Sequence, residues 1–186
     1  MGYVWRRTTQ PVFWSPCNPA HLPRREKEVC SQGDVMHEMN ETLIAPCGMN
    51  CAICSGYLAF KHGVKSQGIR MTYCIGCRAR NKKCAFLKKR CNLLMNGNIT
   101  YCYECSDFPC KHLETIDKRY RSSFRMSLIE NLKTIKNNSI TRLLEDQESK
   151  WKCSKCGGVI CCHNGICFDC GLEILRNKRN LYRWEE

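Results

Sequence analysis

Residues 153–171 read C-S-K-C-G-G-V-I-C-C-H-N-G-I-C-F-D-C-G, and the fold turns on this stretch. Cys153 and Cys156 form one C-x-x-C pair and Cys167 and Cys170 another, ten residues apart, with glycine (Gly157, Gly171) after the second cysteine of each. One such pair can place two thiolates on a tetrahedral ion, and two facing pairs complete a four-thiolate site. Glycine in that position lets the backbone turn back toward the sulfur. The spacing predicts a zinc-ribbon-like module over 150–175, two knuckles facing each other across a short β-hairpin. Cys161, Cys162 and His163 fall at the hairpin, and His163 is read as solvent-facing or locally bonded rather than as a replacement ligand.

Upstream lies a richer cluster: Cys47, Cys51, Cys54, Cys74, Cys77, Cys84, Cys91, Cys102, Cys105 and Cys110, followed by His112. The pairs Cys51/Cys54 and Cys74/Cys77 have a spacing that suits one zinc ion. On that partition Cys84, Cys91, Cys102 and Cys105 make a second site, with Cys47 and Cys110 spare. Partitions that use Cys110 or His112 stay open, and so does an iron–sulfur cluster held by four of these thiolates. Cys47-x3-Cys51-x2-Cys54 has the spacing of the radical SAM motif, but the chain is too short for the barrel that chemistry needs. The run from Cys74 to Cys91 begins like the fungal six-cysteine, two-zinc cluster, and Leu94 stands where the next pair should close.

Eighteen cysteines in 186 residues would mark a disulfide scaffold in a short secreted protein. The N-terminus shows no secretory signal, and the cysteines come as C-x-x-C pairs, so the reading is a reduced, cytoplasmic metalloprotein. No stretch approaches the roughly 20 apolar residues of a membrane span. A structural zinc site contributes on the order of 10 kcal/mol of apparent folding free energy, so metal is expected to be a condition of folding. Two or three zinc ions are expected.

The runs Ala45-Pro-Cys-Gly-Met-Asn-Cys-Ala-Ile-Cys54, Cys74-Ile-Gly-Cys77 and Cys102-Tyr-Glu-Cys-Ser-Asp-Phe-Pro-Cys110 resemble a prokaryotic family of domains of unknown function, numbered 3795. The resemblance extends through Ser127-Leu-Ile-Glu-Asn-Leu132 and Trp151 to the ribbon. It implies a metal-binding architecture and leaves the activity open.

The rest of the chain fits around these clusters. Residues 1–38 carry four of the six prolines and no helical or strand period, and read as a disordered leader or a start placed too early, with Met36 and Met39 as later starts. Residues 39–112 form the cysteine-rich domain. Residues 113–149 hold no cysteine and read as helix: Leu128, Ile129, Leu132 and Ile135, then Ile140, Leu143 and Leu144, recur at helical spacing around a break at Asn137-Asn138. That apolar stripe is expected to pack on the metal domains. Residues 176–186 are a basic tail. The fold class expected is α+β, small and loop-rich.

The formal charge is +13, and three Zn(Cys)4 sites would lower it to about +7. Arg78, Arg80, Lys82, Lys83, Lys88, Lys89 and Arg90 contain no acid among them. Residues 78–90 therefore suit a nucleic acid or an acidic protein partner, or serve locally to stabilise thiolates. No phosphate loop, H-E-x-x-H or nucleophile elbow is present, so signs of catalysis are weak, a spare thiol at Cys47 or Cys110 being the one candidate nucleophile. The reading is a non-catalytic zinc-binding module. The alternative is an iron–sulfur redox or electron-transfer protein using the central cysteines.

Overall fold

A computed structural model describes residues 39–80 and 91–184. The leader, Cys84, the basic residues 82–90 and the last two residues lie outside the described residues. Helices α1 (Ser55–Lys61) and α2 (Asn92–Met95) belong to the cysteine-rich region. Helices α3 (Lys111–Phe124), α4 (Leu128–Asn137) and α5 (Ile140–Lys150) follow, and α6 (Leu172–Asn177) closes the ribbon region. Single 3-10 turns form at Glu41–Leu43, Cys51–Ile53, Val64–Gln67 and Cys102–Glu104. None of the described helices is long and apolar enough to cross a membrane.

The sequence dictates where the long helices begin and end. Ser127 accepts from the Glu130 amide and Ser139 from the Arg142 amide, each satisfying a donor that the first turn leaves open. Arg125 adopts the left-handed conformation at φ 54° and ends α3. Asp117, buried on α3, then starts α4 from outside it: its Oδ1 accepts from Ser127 Oγ and the Leu128 amide, both at 2.7 Å, and from the Ile129 amide at 3.1 Å. Its Oδ2 pairs with Arg121 at 2.9 Å.

The apolar stripe packs as its spacing predicts. Leu128 and Leu132 join the main core, while Ile135 and Leu143 close over Ile44 with Tyr101 and Tyr103 at the edge. Two buried amides pin α4 and α5 to the first cysteine turn: Asn131 donates to the Gly48 carbonyl at 2.8 Å, and Gln147 donates to Asn131 at 3.2 Å. Gly48 has φ +83°, and a Cβ there would run into the Leu128 carbonyl, so only glycine fits this approach. The main buried cluster continues from Met39 through Ile53, Leu58 and Leu113 to Trp151, Phe168 and Leu175.

The α+β expectation is not met. No strand occurs among the described residues, and the structure is helix-rich. Antiparallel pairing is confined to isolated bridges, Ile44 with Asn50, Lys152 with Val159 and Ile160 with Cys167. The ribbon region therefore lacks the expected β-hairpin, and the reason is local. Turns closed by Gly157 N to Cys153 O, Gly165 N to Cys161 O and Gly171 N to Cys167 O divide it into short pieces. Three residues between the first two turns are too few for a ladder.

Candidate metal centre

The turns that prevent a hairpin gather the four ribbon thiols. Cys153, Cys156, Cys167 and Cys170 place their sulfurs within 4.8 Å of one another. Cys153 lies 3.7 Å from Cys170 and Cys156 lies 3.5 Å from Cys167, sulfur to sulfur. A tetrahedral ion with metal–sulfur bonds of about 2.3 Å sets its ligands about 3.8 Å apart. The donor set fits a single thiophilic ion. A polynuclear cluster interposes iron and sulfide between its thiolates and holds them farther apart.

The electrostatics agree with that fit. The amides of Cys156 and Lys155 donate to the Cys153 sulfur and bring its pKa down to about 7. Burial holds the Cys167 thiol well above its ordinary range, and the sulfurs of Cys156 and Cys153 push the Cys170 thiol up. Four thiols this close compete for negative charge, and a divalent cation is the group that lets all four ionise.

The fifteen described cysteines are thiols rather than disulfide sulfurs. In the central region, the Cys77 amide donates to the Cys51 sulfur at 3.2 Å, and the Cys74 amide donates to the Gly56 carbonyl at 2.9 Å. This brings the Cys74/Cys77 turn against the Cys51/Cys54 turn. Burial, against donation from the amides of Gly56 and Tyr57 and with a smaller push from Cys77 and Cys74, holds the Cys54 thiol up at about 11. Cys47 is buried nearby; partial burial, and then the charges of Cys54, Cys162, Cys47 and Cys77, raise the pKa of the half-buried Tyr120 phenol. Cys91, Cys102, Cys105 and Cys110 instead line a separate cavity of about 260 Å³, together with His112. Cys110 is thus beside the thiols from which the spacing had set it apart.

Two residues of the basic run can be placed. Arg78 donates through Nε to the Ile44 carbonyl at 2.6 Å and lies 4.6 Å over the Tyr101 ring. Arg80 reaches the Cys74 sulfur at 3.9 Å. Both therefore serve the fold and its thiols locally. Sequence reasoning set Cys161 and Cys162 at the hairpin without a role, and the structure puts them at the junction with the central region. The Cys162 amide donates to the Ile53 carbonyl, and the Ser55 amide donates to His163 Nδ1 at 3.2 Å. His163 thus bonds to a residue 108 positions away rather than only locally, and packs edge-on against Phe124. An apolar doublet at a turn that should face water was the available signal.

No curated protein and no solved structure matches the chain. Residues 43–115, which carry the central cysteines from Cys47 to Cys110, match the family model described as "Protein of unknown function (DUF3795)", the family that the cysteine runs resemble.

Proposed function

We propose that this chain is a zinc-stabilised binding module, without catalytic chemistry of its own, that presents basic surface to nucleic acid. The observation that carries the reading is the closed set of Cys153, Cys156, Cys167 and Cys170. Four protein ligands leave no coordination position for a substrate, which is the mark of a structural ion. Zinc suits the site because it takes four thiolates in a tetrahedron and carries no redox chemistry. The partner follows from charge: +13 overall, with Lys82, Lys83, Lys88, Lys89 and Arg90 in one short segment. Lysines and arginines grouped in this way neutralise phosphates and release counterions. An acidic protein surface would meet the same charge.

Metal analysis of the purified chain tests the first half, with one zinc expected to disappear in Cys156→Ser. A salt-dependent mobility shift with generic RNA tests the second, and it should vanish when Lys82, Lys83, Lys88 and Lys89 are made neutral. Unchanged RNA affinity in that variant would overturn the partner. The redox reading draws support from the four central thiols that share one cavity. A colourless chain containing zinc and no iron after anaerobic purification would end it.

A further inference from the structure

We propose that Cys91, Cys102, Cys105 and Cys110 together form a second thiolate metal centre, independent of the ribbon site. The four come from three separate turns. Cys91 immediately precedes α2, Cys102 opens one 3-10 turn and Cys105 caps it, and Cys110 immediately precedes α3. All four line the same cavity of about 260 Å³, walled otherwise largely by apolar groups such as Leu94, Phe108 and Leu113.

Core packing does not account for this arrangement. A thiol that serves as a small hydrophobe is buried, whereas Cys91, Cys105 and Cys110 are only half-buried and Cys102 alone is fully so. Disulfides do not account for it either, since all four are thiols. Thiolates lining a partly apolar cavity need a cation to be stable there, and soft metals are the cations that thiolates select. His112 and Asp107 also line the space. Four thiolates already complete a tetrahedral set without them.

The set differs from the one that spacing suggests, which pairs Cys84 rather than Cys110 with the other three. Cys110 earns its position from the fold: the Phe108 amide donates to the Cys105 carbonyl at 3.2 Å, and the Glu114 amide donates to the Cys110 carbonyl as α3 begins. These bonds bring the start of α3 to the Cys102–Glu104 turn. A water-sized occupant takes about 30 Å³, so the cavity has room for a single ion or for a small iron–sulfur cluster. Thiolate ligation of a soft metal is common to both.

The test is thiol alkylation with mass spectrometry on the full chain, reloaded with Zn2+ or with Fe2+ and sulfide, before and after chelation. Cys91, Cys102, Cys105 and Cys110 are expected to be protected together and to become reactive together when metal is stripped. Alkylation of Cys110 while the other three stay protected would overturn the proposal, as would protection of Cys84 in its place. Metal content gives a second reading: Cys110→Ser should lose one centre and Cys84→Ser none. Metal content unchanged in Cys110→Ser would overturn the site. Colourless zinc identifies a single ion and coloured iron with sulfide a cluster; either outcome supports the centre. Cys156 and Cys170 report the ribbon in the same experiment, so failure of one site is distinguishable from failure of the other.

Discussion

The amide of Cys162 donates to the carbonyl of Ile53 at 2.9 Å, with both residues wholly buried. That bond joins the ribbon to the turn carrying Cys51 and Cys54. Two residues beyond Ile53 and one beyond Cys162, the Ser55 amide and His163 Nδ1 repeat the attachment. The ribbon is therefore docked through its backbone, and whatever holds its turns in shape also supports the central cysteine turns.

Loss of the ribbon ion should be felt beyond the ribbon. Cys156→Ser, or chelation, is expected to destabilise the protein by several kcal/mol, because a structural zinc site is comparable in strength with the whole stability of a domain. Hydrogen exchange should rise at Ile53–Leu58 as well as in 151–171. Faster exchange confined to the ribbon would show that docking is not what transmits the effect.

The C-terminal tail reinforces the same junction. Trp184 donates through Nε1 to the Cys162 carbonyl at 2.8 Å, and Arg125 lies 4.1 Å over its ring. Trp184→Ala should cost about 2 kcal/mol in denaturant unfolding, below the value for a fully buried tryptophan because this one is half-exposed. Gly165→Ala should act in the same direction, since its φ is +72° and a Cβ there would enter the Trp184 ring. A neutral result for both would remove the tail from the fold's support.

Asp117 is the buried hinge of the helical layer. Asp117→Ala strips acceptors from the Ser127 hydroxyl and the amides of Leu128 and Ile129, leaving the Leu128 donor buried. A loss of about 3 kcal/mol is expected. Arg121→Ala should cost far less, because the Arg121 side chain is largely exposed. Equal losses would mean that the ion pair, not the capping of α4, is the important contact.

What the sequence could convey was local. The gathering of Cys153, Cys156, Cys167 and Cys170 was legible because two C-x-x-C turns fix their own geometry, and α4 and α5 were legible from Ser127, Ser139 and the leucine–isoleucine period. The grouping of Cys110 with Cys91, Cys102 and Cys105 was not legible, because it depends on which turns the tertiary fold brings together. Nor was the inward course of Arg78, whose partner Ile44 is 34 residues away. The missing hairpin had a local cause that spacing alone concealed: the glycine turns left too little chain between them to pair beyond isolated bridges.

His163 should make stability fall in mild acid. Burial, and to a lesser degree the charge of Arg119, lowers its pKa from 6.5 to about 4. Its ring lies among Phe124, Tyr120 and the Cys162 sulfur, with Nδ1 accepting from the Ser55 amide. Between those two pKa values the unfolded chain binds the proton that the folded chain refuses. The stabilisation is thus fully present above about pH 6.5 and is lost as the pH falls toward 4. The expected loss from pH 7 to pH 5 is about 2 kcal/mol. His163→Gln keeps an acceptor for the Ser55 amide and removes the titration. Acid release of metal acts on both proteins and cancels in the comparison. Denaturant unfolding of the two at pH 7 and pH 5 should show the smaller decline in His163→Gln, and parallel declines would mean that His163 does not titrate in this range.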